Sequence, residues 1–199
     1  MLHIPILRAG TPYRSLNRTT LLDIRTGEGA VEVSQANRGL IARDLAKAAD
    51  NQAVFDELSS KDLIEICGKA AQLFMSAELP LGEDSTQSAD KYVSQLSSTT
   101  GLPVTLCRRN MEKIRCVLAE MATVLGGLTR DLDLDILRAG WGQHNGRMLS
   151  YQRQADALGA VLPNNSPGVH TLWLPAIPLR VPVALKPGRE EPWTPYRIA

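Results

Sequence analysis

The 199-residue chain is short of aromatic side chains, which make up 5% of it, and it holds only three cysteines. Cys67, Cys107 and Cys116 are odd in number and lack any CxxC spacing, so neither a disulfide framework nor a thiolate zinc site is indicated. An excess of one charge is also missing. The chain sets 22 basic residues against 21 acidic ones, and clusters such as Arg108 with Arg109 are too short to form the basic face that nucleic acid requires. No long hydrophobic run is present. The longest apolar tract, Thr171 to Lys186, is broken by Arg180 and three prolines, and falls short of the ~20 apolar residues that span a bilayer. Met1 to Gly10 lacks a basic n-region and is interrupted by Pro5 and Arg8, so it does not read as a secretory signal. His3, His144 and His170 share no metal-ligand spacing, and Trp141, Trp173 and Trp193 are too scattered for a stacking platform. These absences leave a cytoplasmic globular protein with no nucleic-acid partner, no metal and no membrane span.

What is there divides near residue 150. Residues 1–150 read as a mainly helical region with short strands. Up to residue 33 short apolar runs alternate with turn formers, and Ala30 to Val33 is a predicted strand. Helical spacing of Leu40, Ile41, Asp44, Leu45 and Ala48 follows, with Ser34 as the expected N-cap. Ser59 and Asp62 have capping-box spacing and open a helix whose stripe is Leu63, Ile66, Cys67, Ala70, Leu73 and Phe74, with Pro80 and Gly82 as its end. Leu81 to Asp90 reads as a loop before a short helix near Tyr92 to Leu96. A third helix is expected from Asn110 to Leu125, burying Met111, Ile114, Val117, Leu118, Met121 and Leu125 and stopping at Gly126 and Gly127. Asp131, Asp133 and Asp135 would share one face of a strand. They lack the glycine and terminal glutamate of a calcium loop, so a solvated acidic edge is the expectation. The glycine spacing of Gly140 to Gly146 is wrong for a dinucleotide turn, and the stretch reads as a turn or exposed hairpin.

Residues 151–199 have a different texture. Ala157 to Leu162 and the VPVALKP segment read as buried strands, separated by a crossover of about 18 residues, which suits a right-handed parallel βαβ unit. The stretch from residue 163 to residue 192 holds seven prolines. Pro163 and Pro167 stiffen the loop after the first strand, and Pro187 the corner after the second, where ligands of open parallel sheets bind. Pro175 and Pro178 predict a distorted crossover helix.

The segment LGAVLPNNSPGVHTLWLPAIPLRVPVALKPGREEP, residues 158 to 192, resembles the first βαβ segment of the aldehyde dehydrogenase superfamily. That family pattern is a strand, a Pro-aromatic-Asn-aromatic-Pro loop, a proline-interrupted helix and a strand ending in Lys-Pro. NNSPGVH, with TTGLP and RRNMEK, looks closer to its acyl-CoA reductase branch. The fold implied is α/β: N-terminal helices, then the start of a Rossmann-like parallel sheet, with residues 151–199 as a truncated first βαβ segment of a dinucleotide-binding domain. The activity implied is that of an NAD(P)-dependent oxidoreductase acting on an aldehyde or acyl-CoA thioester through a cysteine thioester. The resemblance makes Asn165 the amide that stabilises the oxyanion, and assigns Lys186, with Arg189 and Pro163, to binding of NAD or NADP. A guanidinium at Arg189, where NAD-preferring relatives often carry glutamate, favours a 2′-phosphate. The family nucleophile and general base lie downstream of the matched segment. The resemblance therefore implies an N-terminal fragment, inactive alone, whose full-length parent is a homo-oligomer.

Blander readings stand beside these. Asn165 suits a turn, Lys186 a solvated strand end, and Arg189 with Glu190 and Glu191 a solvated charge run. Cys67 and Cys116 read as small hydrophobes, whereas Arg108 and Arg109 could lower the thiol pKa of Cys107. His170 would face a ligand or merely solvent. A different class of function also fits: a non-catalytic interaction or regulatory module that reuses a dehydrogenase-like half.

Overall fold

The computed structural model describes residues 1–82 and 84–199, and its architecture is mixed α/β. At the N-terminus β1 (His3–Ile4) runs parallel to β5 (Gly29–Ser34), which pairs antiparallel with β4 (Arg18–Leu22); β2 (Ile6–Arg8) and β3 (Thr11–Tyr13) form a hairpin. Ser34 is the last residue of β5 and does not cap the next helix. Asn37 does, accepting the Leu40 N–H to open α1 (Arg38–Leu45), and α2 (Ala48–Asp56) follows. The Ser34 hydroxyl is already engaged, by His3 Nε2 and by the Ser15 N–H, so it is not available as a cap.

Ser59 and Asp62 behave as their spacing predicts. Ser59 Oγ accepts the Asp62 N–H at 3.1 Å and Asp62 Oδ2 accepts the Ser59 N–H at 3.0 Å, opening α3 (Ser60–Ser76). The Ser59 side chain and then its backbone N–H hold the Asp62 carboxyl below the usual carboxylate range. This helix buries Leu63, Cys67, Ala71 and Phe74, but Ile66 and Leu73, expected on the same stripe, are exposed because neighbours cover only part of the apolar arc. After it, the expected loop holds a two-stranded hairpin, β6 (Leu79–Leu81) and β7 (Ser85–Gln87); Glu83, which the loop expectation also covered, lies outside the described residues. The short helix near Tyr92 is a full one, α4 (Ala89–Thr100), capped by Ser88.

The helix expected from Asn110 to Leu125 is two helices, α5 (Val104–Ala119) and α6 (Met121–Thr129), which meet at Glu120. Gly126 and Gly127 lie inside α6, which ends at left-handed Arg130. A Cβ on Gly126 would come within 2.7 Å of Asp131 Oδ1, so this glycine admits the returning chain instead of ending the helix. The aspartates that follow form no strand. Asp133 accepts the Asp135 N–H and Asp135 accepts the Ser60 hydroxyl, both at 3.0 Å, and both bonds lie at the start of α7 (Asp135–Ala139). The glycine-rich stretch is a hairpin, β8 (Trp141–His144) and β9 (Arg147–Ser150), with Asn145 and Gly146 at positive φ in its turn.

β10 (Leu158–Val161) and β11 (Val183–Lys186) are parallel neighbours. They are less buried than expected, Val161 being 76% exposed, because among the described residues the two strands pair only with each other. The crossover between them is more distorted than one kinked helix: two 3-10 turns, Pro167–Leu172 and Leu174–Ala176. Arg180, at positive φ, donates to the carbonyls of Phe55 and Leu58, tying the end of this crossover to the end of α2. A last helix, α8 (Trp193–Ile198), inserts Trp193 into the core formed by α3, α4 and α5, where Phe74, Tyr92, Leu96, Met111 and Ile114 pack. Among the described residues no helix is long and apolar enough to cross a membrane.

Candidate functional site

The parallel pair brings the loops named from sequence to one edge. Val161 is opposite Lys186, and the Leu162 N–H donates to the Lys186 carbonyl at 3.0 Å, so both strands end together. Lys186 and Arg189 are exposed; the Arg189 Nε is 3.8 Å from Glu190 Oε1, with its side chain 74% accessible, an ion pair of little energetic weight. Pro163 and Asn165 are exposed in the opposite loop.

The two adjacent asparagines divide the work. Asn164 Oδ1 accepts the Glu190 N–H at 3.2 Å and so staples the loop after β10 to the turn after β11. Asn165 stands beside that staple, exposed. Gly188 is the point of closest approach: a Cβ there would lie 2.6 Å from the Pro163 carbonyl oxygen and closer still to Asn164 Oδ1. Glycine is needed because the facing atoms are backbone and a stapled amide. Gly188→Ala is expected to cost about 1–3 kcal/mol by overpacking and to break the Asn164–Glu190 bond. Urea denaturation reads the first effect, and accelerated exchange of the Glu190 amide hydrogen the second.

Beneath these loops lies a buried polar network that spacing did not reveal. His170, expected to face a ligand or solvent, is 0% exposed. Its Nδ1 accepts the Trp173 indole N–H at 3.0 Å, and its Nε2 is 3.0 Å from Glu191 Oε2. Glu191, part of the expected solvated charge run, is 1% exposed. Its Oε1 accepts the Thr194 N–H at 2.9 Å and the Thr194 hydroxyl at 2.6 Å, and the Tyr92 hydroxyl lies 2.7 Å from Thr194 Oγ1. Burial, and then the Glu191 charge, push the Tyr92 phenol far up. The same two causes push the Cys107 thiol up to about 11. Cys107 is wholly buried, with its Sγ 3.8 Å from the Leu102 carbonyl, and Arg108 points to Asp90. Cys107 is therefore an inert core thiol and not a thiolate activated by the neighbouring arginines. Cys67 is likewise pushed up by burial. The one signal for the network in sequence is its setting, since Glu191 directly precedes Pro192 and Trp193 and so joins a charge to an apolar turn. Among the described residues no three His, Cys, Asp or Glu side chains come together to hold a metal ion.

This α/β framework, with its parallel pair and proline-bearing loops, defines a class of fold. No family model and no curated protein matches the sequence. Solved structures identify the fold within the class. The chain is similar to 3,6-anhydro-L-galactose dehydrogenase in complex with NAP at a TM-score of 0.73 and 14% identity, over 98% of this chain and 38% of that one. An aldehyde dehydrogenase from Brucella melitensis biovar abortus 2308 gives 0.72 and 16%, over 99% and 38%. Betaine aldehyde dehydrogenase from Staphylococcus aureus in complex with NAD+ gives 0.67 and 16%, over 99% and 37%. The fold is that of the N-terminal part of an aldehyde dehydrogenase, and the chain spans less than two-fifths of the length of these structures.

Proposed function

We propose that this chain supplies the N-terminal region and the opening cofactor-binding segment, residues 151–199, of an NAD(P)-dependent oxidoreductase acting on an aldehyde or acyl-CoA thioester. One observation carries the reading: two parallel strands end side by side, with an exposed asparagine after one, and an exposed lysine at the end of the other followed by an exposed arginine. In open parallel sheets that edge is where nucleotides bind. The donor set fits the adenosine end of the cofactor. The Lys186 ammonium suits ribose hydroxyls, the Arg189 guanidinium suits a 2′-phosphate, and Pro163 stiffens the facing loop. The bound cofactor would exchange a hydride with the substrate carbon. Asn165, an uncharged amide at the same edge, would donate to the oxygen on which negative charge develops during thioester chemistry at a cysteine outside these residues. Solved dehydrogenases of the same fold carry NAD+ or NAP, which supports this choice of ligand.

The test is a titration of the 199-residue chain with adenosine 2′,5′-bisphosphate and with 5′-AMP, followed by amide chemical shifts. The bisphosphate should move the amides of residues 186–190 and bind more tightly than 5′-AMP. Arg189→Glu should abolish that preference, a change of about tenfold for one charge-assisted pair. Failure of either nucleotide to perturb these amides sinks the reading. It would favour the second one, an interaction module, for which the exposed apolar side chains of Leu158 and Val161 on a parallel strand speak, since such sheets are ordinarily covered on both faces.

A further inference from the structure

The hydrogen-bond directions around Glu191 are fixed by chemistry. An indole N–H can only donate, so His170 Nδ1 accepts from Trp173 and the ring proton sits on Nε2, which donates to Glu191. The Thr194 hydroxyl has one proton and faces a carboxylate oxygen that can only accept, so it donates there and the Tyr92 hydroxyl donates to Thr194. The Glu191 carboxylate, 1% exposed, thus accepts from His170 Nε2–H and from the Thr194 N–H and hydroxyl, and the Trp173 and Tyr92 donors feed these in turn. Burying such a charge costs several kcal/mol, and an apolar side chain of similar volume is often as stabilising. What the carboxylate joins is specific: residue 191 closes the turn that begins at Gly188, through the Glu191 N–H to the Gly188 carbonyl at 3.2 Å, while His170 sits in the 3-10 turn that follows the loop after β10. Asn164 and Glu190 join the same two segments at a second point, and a plane of two ties resists both sliding and twisting where one would not.

We propose that Glu191 and His170 are positioning residues: their buried bond, with the Asn164 staple, locks the loop 163–166 to the turn 186–191 and so fixes the separation of the Asn165 amide from the Lys186 ammonium. The functional part of this rests on the reading of those two groups as ligand-facing; the locking of the loops does not. Neither residue touches the ligand. They hold the edge preorganised, so that a ligand does not have to order it on binding.

Hydrogen exchange and nucleotide titration of the full chain test this together. Glu191→Gln keeps the shape and the Oε1 bonds to Thr194 but turns an amide N–H towards His170 Nε2–H. Exchange of the Leu162, Val169 and Glu190 amides should rise about tenfold, that of α3 and α5 should stay unchanged, and adenosine 2′,5′-bisphosphate should bind about tenfold more weakly. His170→Gln, which still offers an N–H at the Nε2 position, should preserve slow exchange, whereas His170→Leu should not; a packing role alone would make the two alike. This pair decides the matter if Glu191→Gln does not fold. Slow loop exchange in both His170→Leu and Glu191→Gln, or faster exchange spread evenly over the chain, overturns the proposal. Lys186→Ala separates it from the reading beneath: it should weaken the nucleotide while leaving loop exchange unaltered. If Lys186→Ala has no effect on the nucleotide, the ligand reading fails and the exchange data still judge the lock.

Discussion

Arg197→Met is expected to lower the free energy of unfolding by roughly 3–5 kcal/mol, a large share of the total stability of a domain. Arg197 is 4% exposed, and its guanidinium donates to three carbonyls: Phe74 at 3.0 Å, Ala77 at 2.9 Å and Gln87 at 2.7 Å. Phe74 and Ala77 belong to the last turn and C-cap of α3, whose final carbonyls have no partner within the helix, so a cation there also meets the negative end of the helix dipole. The rings of Phe74 and Tyr92 flank the guanidinium, each centroid 5.7 Å from Cζ. Burial pulls the Arg197 pKa down, which is the cost the carbonyls offset. Methionine fills most of the space but leaves those oxygens without a donor in the interior. Lysine has three donors but carries them on one nitrogen, whereas the Arg197 Nε, Nη1 and Nη2 each reach a different carbonyl, so lysine should recover only part of the loss. Guanidinium chloride denaturation followed by far-ultraviolet circular dichroism reads both. A shift for Arg197→Met below about 1 kcal/mol would mean that water replaces the lost donors and that the end of α3 is open to solvent.

What could be read from the sequence follows the range of each signal. The cap at Ser59 and Asp62 is a contact between residues three apart, and the structure keeps it. The parallel pair was legible for a similar reason, because proline and glycine punctuate β10, the crossover and β11 at close range. Ser34 failed as a cap because its hydroxyl is taken by His3, 31 residues away in sequence. Gly126 failed as a helix stop for a local reason: α6 runs on to Thr129, and the Asp131 N–H closes back on the Gly126 carbonyl at 2.9 Å, so the glycine lies in the last turns of the helix and not beyond them. A tertiary contact decided only the first of these. The buried network is the extreme case: Tyr92 and Thr194 are 102 residues apart, and the one local signal, Pro192 and Trp193 after Glu191, does not by itself separate a buried carboxylate from a solvated Arg-Glu-Glu run.

The candidate site divides along the same line. Asn165, Lys186, Arg189 and Pro163 could be named because a strand end followed by a stiff loop is a local pattern, and the structure brings their two loops to one edge. The residues that hold those loops together, Asn164, Gly188, His170 and Glu191, could not. Each acts across the βαβ crossover, and its partner is set by how the 3-10 turns fold back onto α5 and α8. The groups proposed to meet a ligand are thus the more legible half of this edge, and the groups that bond its two loops together the less legible half.

Trp193→Ala should destabilise the protein by about 3–5 kcal/mol, the range for removing a large aromatic side chain from a core that cannot collapse around the gap. Trp193 is 1% exposed and is among the largest wholly buried side chains. Its indole N–H donates to Thr99 Oγ1 at 2.8 Å, and the Thr99 hydroxyl in turn donates to the Glu190 carbonyl at 2.7 Å. The ring therefore fills the core and also anchors the turn after β11 to α4. Loss of the indole leaves Thr99 free to rotate towards its intrahelical acceptor, the Gln95 carbonyl at 3.3 Å, and so releases Glu190. Trp193→Phe separates the two contributions. It restores most of the volume but not the donor, so denaturation should recover more than half of the lost stability while exchange of the Glu190 amide stays fast. Equal recovery of both would show that the ring's volume, and not its N–H, holds the turn.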